Sequence, residues 1–333
     1  MIPITLVSGF LGSGKSTLIA RLVRQPGFAR TAVIVNEFGD VGIDHALVSR
    51  GKEDDIVLLD SGCICCTMTS SLEDTLESLY YKRESGALDF ERVVVETTGI
   101  ADPGPIAQVL AGGLYLSRLY KFESLVVTVD AVHGCEQLEH HEENRRQVAM
   151  ADRLLLTKTD VAQPQALERT TSSIRAMNPL APILTVVQGV VDPTAVIAPS
   201  RLTRHELTTE THGHGHGHEH DHTHEAVFAH EYTTASSRVP GRVSWEAYAA
   251  WLEMLRAELG SNLLRAKGVL RFADGELRAI QGVQLLFSPP AAIDESVGRD
   301  LEGAVVLIAH HVEPSRLQAC VRALGSVAFS TVS

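Results

Sequence analysis

Basic residues are scarce in this 333-residue chain: 29 Lys and Arg stand against 41 Asp and Glu, for a formal net charge of −12. So acidic a chain lacks the positive footprint that broad nucleic-acid binding needs. A single nucleotide is still allowed, because backbone N–H groups and one lysine suffice to build a phosphate site. No apolar run approaches the roughly 18–20 residues that span a bilayer, so no membrane partner is expected. The opening MIPITLVSGF carries no basic leader and no small-residue cleavage site, and a cytoplasmic location is the expectation. Cysteine is rare as well, at five residues, and thiols in a reducing cytosol stay free. No internal repeat is visible.

What is present is an ordinary globular composition, 44% hydrophobic and 21% charged, able to bury large cores. The length suggests two domains. From residue 2 to about 190, short apolar runs alternate with helix-like stretches. The runs are Ile4–Ser8, Ala32–Val35, Ile56–Leu59, Val93–Val95, Leu125–Val129, Arg153–Leu156 and Ile183–Val187. Continuous apolar character marks strands covered on both faces, as in a parallel sheet. With amphipathic segments such as Ser71–Arg83 between them, the pattern predicts an open α/β sheet with helices on both faces.

Residues 205–224, HELTTETHGHGHGHEHDHTH, hold one large apolar side chain, Leu207, and read as a flexible linker. Beyond it the expected order is strand Ala226–Thr234, a helix over SWEAYAAWLEMLRAEL, and strand runs Leu264–Phe272 and Leu277–Phe287. Strand Ala304–Ala309, helix Pro314–Leu324 and a last strand-like run, SVAFSTV, complete it. That order suits a small α+β domain on a split βαβ plan. The expected boundaries are 1–202, 203–225 and 226–333.

GFLGSGKST follows the first strand and opens a helix. Gly9, Gly14, Lys15 and Ser16 satisfy G-x-x-x-x-G-K-[ST] in the context that motif requires. Gly9, Gly12 and Gly14 let the backbone turn tightly towards anionic oxygens. The N–H groups from Gly12 and Ser13 to Thr17 form an anion nest at the helix start. Lys15 is assigned to the β/γ-phosphates, and the Ser16 hydroxyl to Mg²⁺.

LLLTKTD ends a later strand, on the edge where ligands of open α/β sheets gather. Asp160 can accept from both the ring N–H and the exocyclic amine of guanine, while adenine offers the opposite pattern. The Lys158 stem can lie along the base, beside Thr157. In VVVETTG, Glu96 sits at a strand tip as a metal- or water-positioning acid. Gly99, three residues on, lets the backbone approach the γ-phosphate and respond to its loss.

Three of the five cysteines crowd into DSGCICCTMTS. Cys63, Cys65 and Cys66 follow a strand and precede a helix, where the helix N-terminus favours thiolate. Structural cysteines would be scattered on apolar faces, and the C-x-x-C spacing of Cys63 and Cys66 is incidental. Metal binding suits the pattern best, because soft thiolates select Zn²⁺ or Cu(I). A structural zinc site closes with four protein ligands; three leave a position through which an ion can depart. His212, His214, His216, His218, His220, His222 and His224, interleaved with Glu219 and Asp221, form a weak multi-site sponge for divalent ions.

With the phosphate loop, NEFGD, GCICC, ETTGIADPGP and TKTD in order, the chain resembles the CobW-type metallochaperone GTPases. The likeness continues after the linker through LLRAKGVLRF and IQGV. The resemblance implies a phosphate-loop NTPase of SIMIBI type that hydrolyses GTP with Mg²⁺ and carries a transition metal, most often zinc. Some relatives serve cobalt or iron. It further implies that Cys63, Cys65 and Cys66 form the transfer motif. Glu37, grouped with Lys15 and Glu96 as catalytic, and Asp44 are then first-switch residues sensing Mg²⁺ or γ-phosphate. The implied partner is a client metalloprotein, met by the C-terminal domain; a homo-oligomer is compatible with it. TKTD has Thr157 where the commoner motif has asparagine. Two rivals remain: a metal-storage protein with a vestigial nucleotide site, and an ATP-dependent small-molecule kinase, against which Asp160 argues.

Overall fold

The computed structural model describes residues 1–35, 58–60, 69–112, 116–199 and 231–330. Packing divides the chain into two units, Met1–Ser172 with Ala181–Ser200, and Ser173–Leu180 with Arg201–Ser333.

The first unit is built on seven strands: β1 (Ile2–Gly9), β2 (Thr31–Val35), β3 (Leu58–Asp60), β4 (Arg92–Glu96), β5 (Tyr120–Asp130), β6 (Arg153–Thr157) and β7 (Ile183–Val186). Their order is β3-β2-β4-β1-β5-β6-β7, and every pairing is parallel. Helix α1 (Lys15–Leu22) covers one face: Leu18, Ile19 and Leu22 pack with Val7, Val33, Val94, Val126 and Leu155. The alternate residues Leu6, Ile34, Val95, Val127 and Leu156 are equally buried, so both faces are covered as the unbroken apolar runs predict. Helices α2 (Thr69–Glu84), α3 (Pro103–Gly112), α4 (Gly134–His140), α5 (Glu142–Met150) and α6 (Pro164–Met177) fill the connections, α6 passing from the first unit to the second after Ser172.

Strand β5 begins earlier than its apolar run, because Tyr120, Lys121 and Phe122 pair with Ile2, Pro3 and Ile4. The Tyr120 hydroxyl donates to the Leu76 carbonyl of α2 at 2.8 Å. β1 lies at the centre with one arm of the sheet on each side. Its carboxyl end is therefore the switch point at which open α/β sheets bind ligands.

The second unit contains β8 (Tyr232–Arg238), α7 (Trp245–Leu259), β9 (Leu263–Arg271), β10 (Leu277–Val283), β11 (Leu286–Phe287), β12 (Ala291–Ala292), β13 (Ala304–His310) and α8 (Pro314–Ser330). The sheet runs β11-β10-β9-β13-β8, with β12 paired to β10. β13 lies antiparallel between β8 and β9, which is the split βαβ arrangement expected. Ser244 caps α7 by accepting from the Ala247 amide. Buried Trp251, Leu255 and Leu259 of α7 pack with Leu317, Val321 and Leu324 of α8.

Two strand expectations fail in this unit. Leu277–Phe287 is a hairpin rather than one strand: Gln284 has φ 52, and Val283 pairs back on Leu286. The closing SVAFSTV is not a strand as far as Ser330, since α8 continues to that residue. Once a helix is nucleated, each further residue adds a bond at little cost. Here α8 lies along β8, with Gln318 Nε2 donating to the Ser236 carbonyl at 2.9 Å. Among the described residues no helix is long and apolar enough to cross a membrane.

Candidate nucleotide site

Four strand ends meet at the switch point. β1 runs into the phosphate loop at Gly9, β4 ends on Glu96, β5 on Asp130 and β6 on Thr157. Gly9, Gly12 and Gly14 have φ of 142, 71 and 94°, a region costly for side chains bearing Cβ. Gly9 also has no room for one: a Cβ there would lie within 2.7 Å of Ser13 Oγ and would overlap both oxygens of Thr128.

Lys15 is buried, and its ammonium donates to the carbonyls of Gly9 at 2.8 Å and Phe10 at 3.2 Å. The loop thus curls around the charge it presents. The Ser16 hydroxyl donates to Glu96 Oε1 at 2.9 Å, with Glu96 only 3% exposed. The structure brings together the hydroxyl and the acid assigned separately to metal positioning.

Threonine hydroxyls fasten the loop from beneath. Ser13 Oγ and Thr128 Oγ1 are 2.7 Å apart. Thr157 Oγ1 lies 2.7 Å from the Ser13 carbonyl, to which it donates, and 3.1 Å from that of Val129. Its methyl lies 3.6 Å from where a Cβ on Gly14 would stand. Thr157 therefore ties the TKTD segment to the phosphate loop, a task that needs one donor and that threonine performs.

Lys158 adopts φ 57 and its ammonium pairs with Asp130 Oδ2 at 2.7 Å. Asp130 is almost fully buried, and its other oxygen accepts from the amides of Val132 and His133. Asp160 is exposed in the following turn. The Gln188–Gly189 turn, both residues at positive φ, approaches α1 so closely that a Cβ on Gly189 would stand 2.8 Å from the Thr17 carbonyl.

Asp130 and Thr128, which the structure places at this rim, were not among the candidate residues of the sequence analysis. Asp130 carried the signal that identified Glu96, an acid at a strand tip before a helix. Thr128 had none, because its contact with Ser13 joins residues 115 apart in the chain.

Glu37, Asp44, Cys63, Cys65, Cys66 and the histidines from His212 to His224 lie outside the described residues. Within them, no group of three or more His, Cys, Asp or Glu is arranged to hold a metal ion. The backbone entering the cysteine segment is described. Asp60, the last residue of β3, is in register with Val35, and Val35 with Glu96. Glu96 in turn pairs with Val7.

A family model described as CobW/HypB/UreG, nucleotide-binding domain, matches residues 3–185. A second, the cobalamin synthesis protein cobW C-terminal domain, matches residues 232–324. The chain belongs to the CobW family. Among CobW-type relatives, the zinc chaperone YjiA of Escherichia coli K12 is 36% identical over 291 residues, spanning 86% of this chain and 87% of the relative. Zinc-regulated GTPase metalloprotein activator 1 of Schizosaccharomyces pombe is 28% identical over 356 residues, 94% of this chain and 84% of that protein. A crystal structure of zinc-bound YjiA GTPase superimposes with a TM-score of 0.66 and 27% identity, covering 97% of this chain and 98% of that one.

Proposed function

We propose that this CobW-family protein is a GTPase metallochaperone: it binds zinc through Cys63, Cys65 and Cys66 and passes it to a client metalloprotein under control of the bound nucleotide. The relatives named zinc chaperone and zinc-regulated GTPase metalloprotein activator support the chemistry. The observation that carries the coupling is the register of the sheet. β3 delivers the chain to the cysteine segment at the same carboxyl rim as the phosphate loop, level with Glu96 and Val7. Three strand spacings separate β3 from β1, or about 14 Å. That is short enough for a loop responding to the γ-phosphate to influence the thiolates.

In this reading Lys15 and the amides from Gly12 to Thr17 hold the phosphates, and Asp160 with Lys158 selects guanine. Asp130 keeps the Lys158 ammonium in place. The Ser16 hydroxyl and the Glu96 carboxylate are hard oxygen donors of the kind Mg²⁺ requires, and they would hold that ion. When bound, Mg²⁺ neutralises charge on the β- and γ-phosphoryl oxygens. Glu37 and Asp44 belong to the switch that precedes β3. The chain works in the cytoplasm, the histidine tract concentrates zinc, and the C-terminal unit meets the client.

The test is a zinc titration of the GDP-bound protein and of the protein loaded with a non-hydrolysable GTP analogue, repeated with Cys65→Ser and Cys66→Ser. Coupling of ~1–3 kcal/mol would change zinc affinity from several-fold to about a hundredfold between states. Equal affinities in the two states would remove the control by nucleotide, and unchanged affinity in the serine variants would remove the cysteine site.

A further inference from the structure

Helix α5 grips the loop that follows Glu96. Gln147 is fully buried on it, and its Nε2 donates to two carbonyls of that loop, Gly99 at 3.2 Å and Ala101 at 2.9 Å. One residue earlier, Arg146 Nε lies 3.1 Å from Asp102 Oδ2, while Asp102 Oδ1 accepts from the Gly104 amide at the start of α3. His141, at the head of α5, stacks on Phe10 of the phosphate loop with ring centroids 4.4 Å apart. The two loops also touch directly, since a Cβ on Gly99 would stand 2.8 Å from the Leu11 amide nitrogen.

We propose that Gln147 is a positioning residue for GTP hydrolysis, setting the orientation of the Gly99 peptide and hence the discrimination between GTP and GDP. The chemistry favours this over simple core filling. Both donors of the amide are spent on one loop, whereas its Oε1 has no hydrogen-bond partner among the described residues. Filling space alone needs no donor, whereas an apolar side chain of similar length would leave both loop carbonyls without this partner, a cost for buried polar groups. Two carbonyls held from one nitrogen fix the planes of the peptides that follow Gly99 and Ala101. The glycine can then offer its backbone in one direction only. The opposite end of α5 is tied down too: Asp152, two residues past Met150 and just before β6, accepts through Oδ2 from the Leu125 amide of β5 at 2.9 Å. The bracket is thus anchored independently of the loop it holds.

The inference rests on the reading that Gly99 faces the γ-phosphate, and the experiment separates the two. In the full-length chain, Gln147→Glu replaces the donating nitrogen by an acceptor at constant shape, and Gln147→Met keeps the length without hydrogen bonds. For each, GDP affinity, affinity for a non-hydrolysable GTP analogue, kcat and KM for GTP, and the thermal midpoint are measured beside Gly99→Ala. The expected result is a loss of roughly tenfold in kcat and in analogue affinity, with GDP affinity unchanged, as for contacts made only when the γ-phosphate is present. Loss of both nucleotides in equal proportion, with a lowered midpoint, would make Gln147 a core residue and overturn the proposal. If Gly99→Ala abolishes discrimination while both Gln147 variants keep it, Gln147 is excluded and the reading of Gly99 stands. If Gly99→Ala leaves discrimination intact, that reading fails. Should Gln147→Glu not fold, Gln147→Met alone decides by the same ratio.

Discussion

The hydroxyl of Ser16 and the carboxylate of Glu96, 80 residues apart in the chain, share a hydrogen bond of 2.9 Å. It links the first turn of α1 to the tip of β4, and these are the two oxygen donors proposed above to hold Mg²⁺. Removing either partner is expected to abolish the Mg²⁺ dependence of GTP hydrolysis and lower kcat by roughly a hundredfold or more. Phosphate release from Ser16→Ala and Glu96→Gln, measured across a Mg²⁺ series, checks this. A wild-type Mg²⁺ profile in either variant would separate the pair from metal binding.

Gly9 is closed to any side chain by Thr128 and Ser13 and sits at φ 142. Gly9→Ala should therefore destabilise the first unit by about 1–3 kcal/mol, the usual cost of overpacking, and displace the phosphate loop. Thermal unfolding with and without GDP measures both effects. A variant with the parental midpoint and the parental gain on adding GDP would contradict the packing described.

Base selection is expected to follow hydrogen-bond matching at Asp160. Replacing its carboxylate by an amide adds a donor that guanine's N–H and amine repel, but that the extra carbonyl of xanthine accepts. Asp160→Asn should thus prefer xanthosine triphosphate to GTP, as competition binding would show. Asp130→Asn, which weakens the hold on Lys158, should weaken GTP and GDP alike. Unaltered base preference in the Asp160 variant would move the base site elsewhere.

Acid stability of the second unit is expected to depend on Arg271. Its guanidinium bridges Glu295 and Glu302, each with an oxygen at 2.7 Å. Those hydrogen bonds hold both carboxyls below the ordinary carboxylate range. A carboxyl whose pKa is depressed by folding contributes stability above its unfolded pKa, and loses it as pH falls through the folded value. Arg271→Ala should therefore unfold at higher pH than the parent. The chain's two tryptophans, Trp245 and Trp251, both lie in this unit, so their fluorescence reports the transition. Coincident acid curves would show that the pairs contribute nothing.

Thiol reactivity should separate the cysteines. Burial, with the Glu258 charge adding to it, raises the pKa of the Cys320 thiol, so it should react with iodoacetamide only after unfolding. Cys63, Cys65 and Cys66 should react in the native protein and be protected by zinc. Peptide mapping after alkylation distinguishes them, and equal labelling with and without zinc would count against the cysteine site.

Much of the first unit is legible because its central strands, β1, β2, β4, β5 and β6, are buried on both faces. Six of the seven apolar runs mark strands within two residues at either end; β5 begins five residues ahead of its run, at Tyr120. The early part of that strand alternates in polarity and is recruited only by pairing with β1. The second unit reads less well for a related reason. A hairpin closed by Gln284 at φ 52 carries no Gly or Pro at the reversal to announce it. SVAFSTV alternates like a strand, yet it continues a helix already packed along β8.

The sequence by itself determined the chemistry available: the glycines that permit the phosphate loop, Lys15 and Ser16 within it, Glu96 at a strand tip and the Thr157–Asp160 motif. Each is a local signal, because backbone conformation and residue type act over a few positions. Only the tertiary structure decided which of these groups meet. It set Ser16 on Glu96, Thr157 on Ser13, Lys158 on the unforeseen Asp130 and Gln147 on the Gly99 loop. These contacts arise from the order and register of parallel strands, and that register is the product of packing across the whole sheet rather than of any one segment.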